Sequence, residues 1–396
     1  MNNLLNQNLI LKGKKVLLRV DLNVPMKNGT ITETSRIEKI LPTIKLLIKK
    51  EAKIIILSHI GRPKGKVMNE MSLEPISKKL SQCLNKEVLF NKNKINENTI
   101  SEINKISNGS IIMLENIRFN EGEETNNEEF SKKLSNLGDI YINDAFSCSH
   151  RAHASIEGIP KYLPSYFGLQ ITEEINALKR LTSEIKKPIT LIIGGSKIST
   201  KIKIIKNLIK KFDNIIIVGG MANTVLKHTG SKIGKSICEN DCGDLIKEIL
   251  ENSDKYNCKI TCPVDIVVSK NLEGMGKNKD IKEIDDDEMI LDIGPKTISS
   301  IKKIIKDSNT VLWNGPAGYF ENPNFQNGTK QILEIISQKT KNDKIFSVAG
   351  GGETVAAINK FKKLDSFTIV STAGGAFLEY LEGKTLPGIK ALSQNV

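Results

Sequence analysis

The chain has 396 residues, and at about 150 residues per domain this length predicts two to three domains and excludes a peptide hormone or a disulfide-stapled module. Hydrophobic residues make up 39% and charged residues 26% of the chain, an ordinary globular composition that excludes wholesale disorder. The sequence has no run of 18 apolar residues and no basic segment before an apolar run at its start, so we expect a soluble, cytoplasmic protein.

The net charge of +13 leaves three classes of protein open: a nucleic-acid binder, a membrane-surface protein and an enzyme of anionic substrates. Lysines are scattered through amphipathic stretches such as IKKIIKDS, which argues against a nucleic-acid-binding stripe. Only six of the 58 basic residues are arginines, and five of these precede residue 152. Because a planar guanidinium suits carboxylate and phosphate recognition, we expect the first half of the chain to hold a small anion. The arginines are Arg19, Arg36, Arg62, Arg118, Arg151 and Arg180.

Short apolar runs recur along the chain and predict strands. In chain order they are KKVLLRVDL, AKIIILSHI, KEVLF, SIIMLENI, DIYINDAF, PITLIIGG, NIIIVGG, KITCPVDIVVS, MILDIG, TVLWNGP, KIFSVAGGG and FTIVSTAGG. Segments with helical periodicity, such as SRIEKILPTIKLLIKKEA, separate many of them. Runs that are apolar throughout are typical of strands covered on both faces, so we predict an α/β protein with two mainly parallel sheets of about six strands. The boundary is predicted near Ser165, followed by a linking helix.

Ligands of parallel α/β sheets bind beyond the carboxyl ends of the strands, and in the second half these ends are glycine-rich. They read IIGGSK, IVGGMA, LDIGPKT, WNGPAG, VAGGGET and STAGGA. One such turn is explained by backbone geometry alone, but six together favour a nucleotide site. The Walker spacing fails between Gly230 and Ser236, and Lys279 stands where a dinucleotide fingerprint needs its third glycine. A nicotinamide-dependent dehydrogenase of a small anionic substrate is therefore the disfavoured alternative.

In the first half the corresponding ends are polar and basic: RVDLNVP, SHIGRPKG, ENIRF and NDAFSCSHRAHAS. Their arginines and histidines predict an anion clamp. Two interpretations are open for His150 and His153, a metal-binding pair and a capping turn. Two are also open for Asp21 and Asn23, which either accept hydrogen bonds from substrate hydroxyls or cap a turn.

The cysteines form two pairs, Cys238 with Cys242 and Cys258 with Cys262. Each pair has three intervening residues, whereas structural zinc sites prefer two. We therefore expect buried free thiols and neither zinc nor a disulfide framework.

Taken together, the motifs RVDLNVP, SHIGRP, ENIRF, HRAHAS, GGSKISTK, WNGPAGYFE, GGGET and GGAFLEYLEGKTLPG resemble the phosphoglycerate kinase family, in its order and over nearly the whole chain. The resemblance implies a glycolytic, monomeric enzyme of two Rossmann-like lobes joined by a helix and hinge, with a cleft between them. It places phosphoglycerate on residues 1–165 and the magnesium nucleotide on residues 166–382, with the tail 383–396 packed back onto the first lobe. The implied reaction is reversible transfer of a phosphoryl group from 1,3-bisphosphoglycerate to ADP, with neither nucleic acid nor membrane as a partner.

Residue by residue, the resemblance assigns Arg36, Lys197 and Lys201 to catalysis, with Arg36 at the transferring phosphoryl group. The acid substrate is expected at Asp21, Asn23, Arg36, His59, Arg62, Arg118 and Arg151. The nucleotide, bound as MgADP or MgATP, is expected at Gly194, Gly195, Lys197, Lys201, Gly294, Asn314, Glu321, Gly351, Gly352, Glu353 and Thr354. Glu353 stands where the family usually has the aspartate that binds Mg²⁺, and Thr200, Ser196 and Ala373 also replace frequent family residues.

Overall fold

The computed structural model describes residues 9–27, 29–342 and 344–393. The chain divides into two compact units. Unit 1 comprises Met1–Ile175 together with Thr385–Val396, and unit 2 comprises Asn176–Lys384.

Unit 1 contains a six-stranded parallel sheet in the order β5-β6-β4-β1-β7-β8. Its strands are β1 (Lys15–Val20), β4 (Lys53–Leu57), β5 (Val88–Asn91), β6 (Ile111–Leu114), β7 (Ile140–Asp144) and β8 (Ser165–Phe167), and the short strands β2 (Met26–Lys27) and β3 (Thr30–Ile31) pair antiparallel outside it. The helices are α1 (Ser35–Lys49), α2 (Glu74–Leu84), α3 (Glu97–Lys105), α4 (Glu121–Glu124), α5 (Glu128–Ser135) and α6 (Leu169–Thr182).

Helix α1 shows how the sequence builds this layer. Its buried positions Ile37, Ile40, Ile44 and Leu47 recur at helical spacing and face the core that also contains the β1 side chains. The central strands are buried on both faces because helices cover the sheet, as the uninterrupted apolar runs predict.

Unit 2 contains a second six-stranded parallel sheet, in the order β11-β10-β9-β15-β16-β17. Its strands are β9 (Ile189–Ile193), β10 (Asn214–Ile217), β11 (Lys259–Thr261), β15 (Thr310–Asn314), β16 (Phe346–Gly350) and β17 (Ile369–Ser371). The helices are α7 (Ile202–Leu208), α8 (Gly219–His228), α9 (Gly243–Lys255), α10 (Pro295–Asp307), α11 (Asn327–Lys341), α12 (Gly352–Lys360) and α13 (Gly375–Leu381). The predicted α/β class with two mainly parallel six-stranded sheets is thus confirmed.

A separate three-stranded antiparallel sheet of β12 (Asp265–Ser269), β13 (Lys277–Asp280) and β14 (Met289–Ile293) was not predicted. The run KITCPVDIVVS is two strands, β11 and β12, and they belong to different sheets. Pro263 lies between them, where its missing N–H could not have continued a ladder.

The division after Ile175 lies beyond the predicted boundary near Ser165. Ser165 begins β8, which pairs with β7, so the first sheet extends past that position. Helix α14 (Pro387–Ser393) belongs to unit 1, where the Gly388 N–H donates to the Ser149 carbonyl over 2.9 Å. Residues 394–396 of the predicted tail lie outside the described residues.

All six cysteines, each within the described residues, carry free thiols. Cys242 and Cys258 are buried as expected, whereas Cys238 and Cys262 are only half-buried. None of the helices in the described part of the chain has the length and apolar character that a bilayer crossing requires.

Candidate functional site

Asp21 follows the last residue of β1 and organises the carboxyl edge of the first sheet. Its carboxylate accepts from Arg36 Nη1 over 2.7 Å, from the Asn23 N–H over 3.0 Å and from the Ser147 hydroxyl. Burial is the largest single influence and opposes ionisation, but the Arg36 charge and the hydrogen bonds from Ser147 and Asn23 together outweigh it and lower the pKa of Asp21 to about 2. The carboxylate is therefore charged and fixed in place.

Asn23 and Arg36 are held in the same network. Arg36 Nη1 also donates to the Asn23 carbonyl over 3.0 Å, and the Asn23 side-chain oxygen accepts from the Gly61 N–H over 3.0 Å. Two acceptors on one guanidinium nitrogen fix the plane of the Arg36 fork, as bidentate anion recognition requires.

His59 contacts Arg19, a fully buried residue that the sequence reasoning did not place in the site. The distance from Arg19 Nη2 to His59 Nδ1 is 3.1 Å. Since a guanidinium can only donate, Nδ1 must accept and the ring proton lies on Nε2. Burial, and then the Arg19 charge, lower the pKa of His59 well below its usual range. His59 is thus a neutral ring that can donate a hydrogen bond from Nε2.

The other predicted arginines of unit 1 differ in how firmly they are held. Arg118 is buried, donating from Nη1 to the Gly61 carbonyl over 2.7 Å, and its Nε lies 3.5 Å from the Glu124 carboxylate. Arg151 Nε donates to His150 Nε2 over 3.3 Å. The charges of Arg118 and Arg151 also lower the pKa of His59, so these groups share one electropositive region. Arg62 is exposed.

Among the described residues, His150 and His153 do not belong to the one cluster of three side chains that could hold a metal ion. His153 Nδ1 lies 3.7 Å from the buried Glu123 carboxylate, and burial together with nearby arginines lowers the pKa of His153 to about 3. The side chains of Asp21, His59 and Cys148 do come within 4.8 Å of one another. Arg36 and Arg19 donate to the first two of these, so a cation there would meet two guanidinium groups. The region suits an anion.

In unit 2, two glycines bring the turns after β9 and β15 together. A Cβ on Gly194 would lie 2.3 Å from the Pro316 carbonyl oxygen, and one on Gly315 would lie 2.4 Å from Gly194. Gly315 also has a φ of 109°, a conformation that favours glycine. Only glycine allows these backbones to approach so closely.

Beside this contact lies a cavity of about 230 Å³, which we call the polar cavity. Most of the predicted nucleotide-binding residues line it: Gly195, Lys197, Lys201, Asn314, Gly351, Gly352, Glu353 and Thr354. The lining is completed by Ser196, Thr200, Gly315 and Leu378, which were not predicted to bind. The Lys201 ammonium donates to the Gly194 carbonyl over 2.6 Å and to the Asn314 carbonyl over 3.3 Å. Burial lowers the pKa of Lys201 to about 8, partly offset by the Glu353 charge. The polar cavity therefore combines two lysine side chains with a glycine-rich wall, which suits an anion.

Asn314 ends β15 at the wall of the polar cavity. Its side-chain NH₂ group donates to the Gly350 carbonyl over 2.6 Å. The buried Oδ1 of the same side chain has no hydrogen-bond partner among the described residues. Thr354 is also buried, and its hydroxyl accepts from the Gly315 N–H over 2.7 Å. Thr354 therefore supports the turn after β15.

A second, mostly apolar cavity of about 350 Å³ adjoins the polar cavity, since both are lined by Gly195, Ser196 and Glu353. We call it the apolar cavity. Its wall includes Ile237, Pro263, Leu272, Met289, Leu291 and Tyr319, together with Glu321, one of the predicted nucleotide-binding residues. Gly294 is not part of either lining. A Cβ there would lie 2.4 Å from the Asp265 carboxyl carbon, so Gly294 allows β12 and α10 to approach.

The residues at the polar cavity fit a magnesium nucleotide. Glu353 presents an exposed carboxylate in the first turn of α12, close enough to Lys201 to offset part of the lowering of that lysine's pKa by burial. Mg²⁺ is commonly held by one or two carboxylates together with substrate phosphates, so a single hard oxygen donor beside a phosphate site is sufficient.

Sequence reasoning missed Arg19, Ser147 and Glu239: the first two bond to the predicted residues His59 and Asp21, and Glu239 bonds to Ser199 in the loop between Lys197 and Lys201. The scarcity of arginine was the one signal for Arg19, which stands in the otherwise apolar run VLLRV. Glu239 accepts two hydrogen bonds from Ser199, which lies more than thirty positions earlier in the chain, and no local sequence pattern predicts that contact.

Comparison with known proteins agrees with this geometry. The family model of phosphoglycerate kinase matches residues 6–384. Curated phosphoglycerate kinases of Chelativorans sp. and Rhizobium meliloti are 47% and 46% identical over 384 residues, or 96% of this chain and 96% of each relative. The solved phosphoglycerate kinase of Coxiella burnetii superposes with a TM-score of 0.90 at 42% identity, covering 98% of both chains. That of Pyrococcus horikoshii gives 0.84 at 30% identity, covering 100% of this chain and 99% of the other. These matches confirm the resemblance carried by the sequence motifs, and the chain belongs to the phosphoglycerate kinase family.

Proposed function

We propose that the chain catalyses reversible phosphoryl transfer from 1,3-bisphosphoglycerate to ADP, giving 3-phosphoglycerate and ATP. The observation that carries this proposal is the pair of adjoining cavities in unit 2. An apolar compartment next to one lined by Lys197 and Lys201 matches the two chemical halves of a nucleoside diphosphate, a flat base and a charged tail. Family membership over nearly the whole chain supports the same assignment.

In this proposal unit 1 holds the phosphoglycerate. Arg36 meets the phosphoryl group to be transferred, with its guanidinium plane fixed by Asp21 and Asn23. His59 donates from Nε2 to an oxygen of the acid, while Arg62, Arg118 and Arg151 neutralise the remaining negative charge. The neutrality of His59 lets it act as a hydrogen-bond donor over the whole physiological pH range.

In this reaction the protein contributes to catalysis by positioning the two substrates and by neutralising their negative charge. The carboxylate that leaves the acyl phosphate is stable, and the attacking atom is an oxygen of the ADP phosphate, so neither a covalent intermediate nor a general base is needed. Lys197, Lys201 and Arg36 stabilise the negative charge of the transferring group. Magnesium, which arrives with the nucleotide and would be held at Glu353, shields the phosphate charges when bound.

The remaining proposed contacts are those of the nucleotide. Glu321 meets the ribose at the apolar cavity, and Asn314 and the turn from Gly351 to Thr354 meet the phosphates at the polar cavity. The proposal also takes from the family resemblance a monomeric, cytoplasmic enzyme with no nucleic-acid partner. Sedimentation at micromolar concentration and a salt titration of DNA binding test the first and the last of these features.

A coupled assay of ATP formation from 1,3-bisphosphoglycerate and ADP tests the activity, with the variant Arg36→Lys beside the unmodified chain. We expect the unmodified chain to form ATP, and Arg36→Lys to lower kcat at least about tenfold because a single ammonium cannot reproduce the fork. MgADP affinity, measured by calorimetry, should stay within about twofold since Arg36 lies in unit 1. Absence of ATP formation by the folded chain rejects the function, and near-normal turnover of Arg36→Lys rejects the role of Arg36.

A further inference from the structure

The segment Ser236–Asn240, which precedes α9, is fastened along helix α8. The Ile237 carbonyl accepts from the Asn223 side chain over 3.3 Å, and the Lys227 ammonium donates to the Asn240 side chain over 2.8 Å. The Glu239 backbone is bonded to α8 as well, through the Thr224 hydroxyl at 3.1 Å and the His228 ring at 3.3 Å. We call this segment the strap. Because these four bonds end on α8, the strap has a fixed position in unit 2.

The Glu239 carboxylate reaches from the strap to the loop that carries the phosphate-binding lysines. Its two oxygens accept from the Ser199 N–H over 2.9 Å and from the Ser199 hydroxyl over 2.5 Å. The N–H of Ile198 and the charge of Lys197 also act on this carboxylate. Although burial opposes ionisation, the bonds from Ser199 and Ile198 and the Lys197 charge together lower the pKa of Glu239.

The loop of residues 196–201 has few bonds of its own, so a contact from outside the loop is needed to fix its position. Residues 196–201 lie between β9 and the start of α7 at Ile202, and Ser196, Lys197, Ser199 and Thr200 are exposed. Within the loop, the Thr200 hydroxyl donates to the Lys197 carbonyl over 2.8 Å and the Lys201 N–H donates to the Ile198 carbonyl over 2.9 Å. The buried Ile198 side chain is the loop's apolar anchor, and Glu239 is its charged one.

The strap also borders the apolar cavity. Ile237 lines that cavity with 62% of its surface exposed, two residues before the carboxylate that holds the lysine loop. A Cβ on Gly220, at the start of α8, would lie 3.0 Å from both Ile237 Cδ1 and the Ser196 carbonyl. One rigid segment therefore contacts both the proposed base compartment and the loop of the phosphate compartment.

We propose that Glu239 is a positioning residue for phosphoryl transfer, which holds the 196–201 loop so that the ammonium groups of Lys197 and Lys201 meet the nucleotide phosphates. This inference rests on the proposed function of the polar cavity. Glu239 itself does not touch the reacting atoms, and it acts through the backbone of Ile198 and Ser199. A carboxylate is suited to this role because its two oxygens accept from the N–H and the hydroxyl of Ser199 at once.

The test compares Glu239→Gln and Glu239→Ala with Glu251→Gln, a control that removes an exposed carboxylate on α9 from its ion pair with Lys247. Calorimetry gives the affinities for MgADP and for adenosine, and the coupled assay gives kcat and KM. We expect both Glu239 variants to weaken MgADP binding and to lower kcat about tenfold, as loss of a charge-assisted hydrogen bond predicts. Adenosine affinity and the KM for 1,3-bisphosphoglycerate should stay within about twofold, as should every value for Glu251→Gln.

A double-mutant cycle separates positioning from general damage. In a chain that already carries Lys197→Met and Lys201→Met, Glu239→Gln should have less than about a third of its effect on MgADP affinity, because the groups that it positions are gone. Full additivity in this background, or an equal loss of adenosine and MgADP affinity, overturns the inference. If Glu239→Ala fails to fold, Ser199→Ala removes one of the same bonds from the loop side and should give the same pattern more weakly; normal MgADP affinity there overturns the inference as well.

The outcomes also separate this inference from the proposed function. An unmodified chain that binds MgADP but forms no ATP rejects the proposed reaction, while the binding comparisons still test Glu239. An active unmodified chain whose Glu239 variants bind MgADP and turn over normally rejects the positioning role alone.

Discussion

Arg19 shows at the scale of one residue why this lysine-rich chain retains an arginine in a buried strand. Its three guanidinium nitrogens donate in three directions, to the Ser155 hydroxyl over 2.9 Å, to the Val20 carbonyl and to His59 Nδ1. A lysine has one nitrogen and could not satisfy three acceptors arranged around a plane. Arg19 therefore determines which nitrogen His59 presents to the proposed substrate.

Lys201 makes the pH dependence of nucleotide binding a test of the polar cavity. Its pKa of about 8 means that the ammonium charge is present below pH 8 and is lost as the pH rises through that value. We expect the MgADP affinity of the chain to fall about tenfold between pH 7 and pH 9.5, since a charge-assisted bond to phosphate disappears. Calorimetry at half-unit pH steps measures this change.

Lys201→Arg is the matched variant for this prediction. A guanidinium keeps its charge at every pH of the experiment, so the variant should lose less than about threefold in MgADP affinity over the same range. A steep fall that is identical in the two proteins would mean that another group causes it and that Lys201 does not contact the phosphates.

At the scale of elements, three buried aspartates hold the starts of three helices. Asp144 accepts from the Ile171 N–H of α6 over 3.0 Å, and Asp265 accepts from the Thr297 N–H of α10 over 2.7 Å. Asp292 accepts from the Gly328 N–H of α11 over 2.7 Å. The first N–H groups of a helix have no partner within the helix, so a carboxylate from a neighbouring strand satisfies them and fixes the helix direction.

Asp292, which accepts from the start of α11, makes the stability of the chain depend on pH. Burial raises the pKa of Asp292 from 3.8 to about 7, against the opposing bonds from Gly328 and Ile293. The native state therefore keeps a proton that the unfolded state has lost between about pH 4 and pH 7, and the contribution of Asp292 to stability falls as the pH rises through this window. The total fall is up to roughly 4 kcal/mol.

Asp292→Asn removes the titrating group, so the variant's free energy of unfolding should decline less between pH 4 and pH 7 than that of the unmodified chain. Urea unfolding followed by fluorescence of Trp313, the chain's one tryptophan, reports on unit 2, where it is buried against Phe367. Glu251→Gln, which removes an exposed carboxylate, should show the unmodified slope. Equal slopes in Asp292→Asn and the unmodified chain would contradict the raised pKa.

Most strands of the two parallel sheets were predictable because burial on both faces leaves largely apolar runs such as ITLII of β9. Strand β8 was not predicted, because its three residues SYF lie in a segment whose prolines and glycine indicate a loop. The antiparallel sheet was not, since an apolar run does not specify which sheet it joins. Strand β13, with the sequence KNKD, lacks apolar residues altogether. Pairing with β12 makes it a strand, and that pairing is a tertiary contact.

The residues of the candidate site also fall into those that the sequence predicted and those that it did not. Residues at strand ends, such as Asp21 and His59, follow apolar runs closely, and Lys201 lies in the loop after β9; all three were predicted from these positions and from the family motifs. Arg19 and Glu239 were not, because each acts through a contact distant in sequence, to His59 and Ser199 respectively. Sequence periodicity carries no information about such pairs.

At the scale of the whole molecule, the C-terminal segment belongs to the unit in which the chain began. Leu386 and Leu392 of this segment are buried, and a Cβ on Gly388 would lie 2.8 Å from Ile156. The Gly388 N–H donates to the Ser149 carbonyl, which lies in the chain between Ser147, a partner of Asp21, and Arg151 of the proposed substrate site. Unit 1 therefore becomes complete only after the chain has passed through all of unit 2.

Two fully buried leucines, one on each side of Lys384, test whether the C-terminal segment stabilises unit 1 and not unit 2. We expect Leu392→Ala in α14 to cost unit 1 about 2–5 kcal/mol, and Leu381→Ala in α13 to cost unit 2 a similar amount, because each leaves a cavity in its own core. Native-state hydrogen exchange separates the two effects: Leu392→Ala should reduce protection in β1 and β7, and Leu381→Ala in β9 and β15. Leu392→Ala should also raise the KM for 1,3-bisphosphoglycerate and leave MgADP affinity unchanged, because Ser149 loses its support while the polar cavity does not. Equal loss of protection in both sheets from either variant would mean that the C-terminal segment stabilises the molecule as one cooperative body.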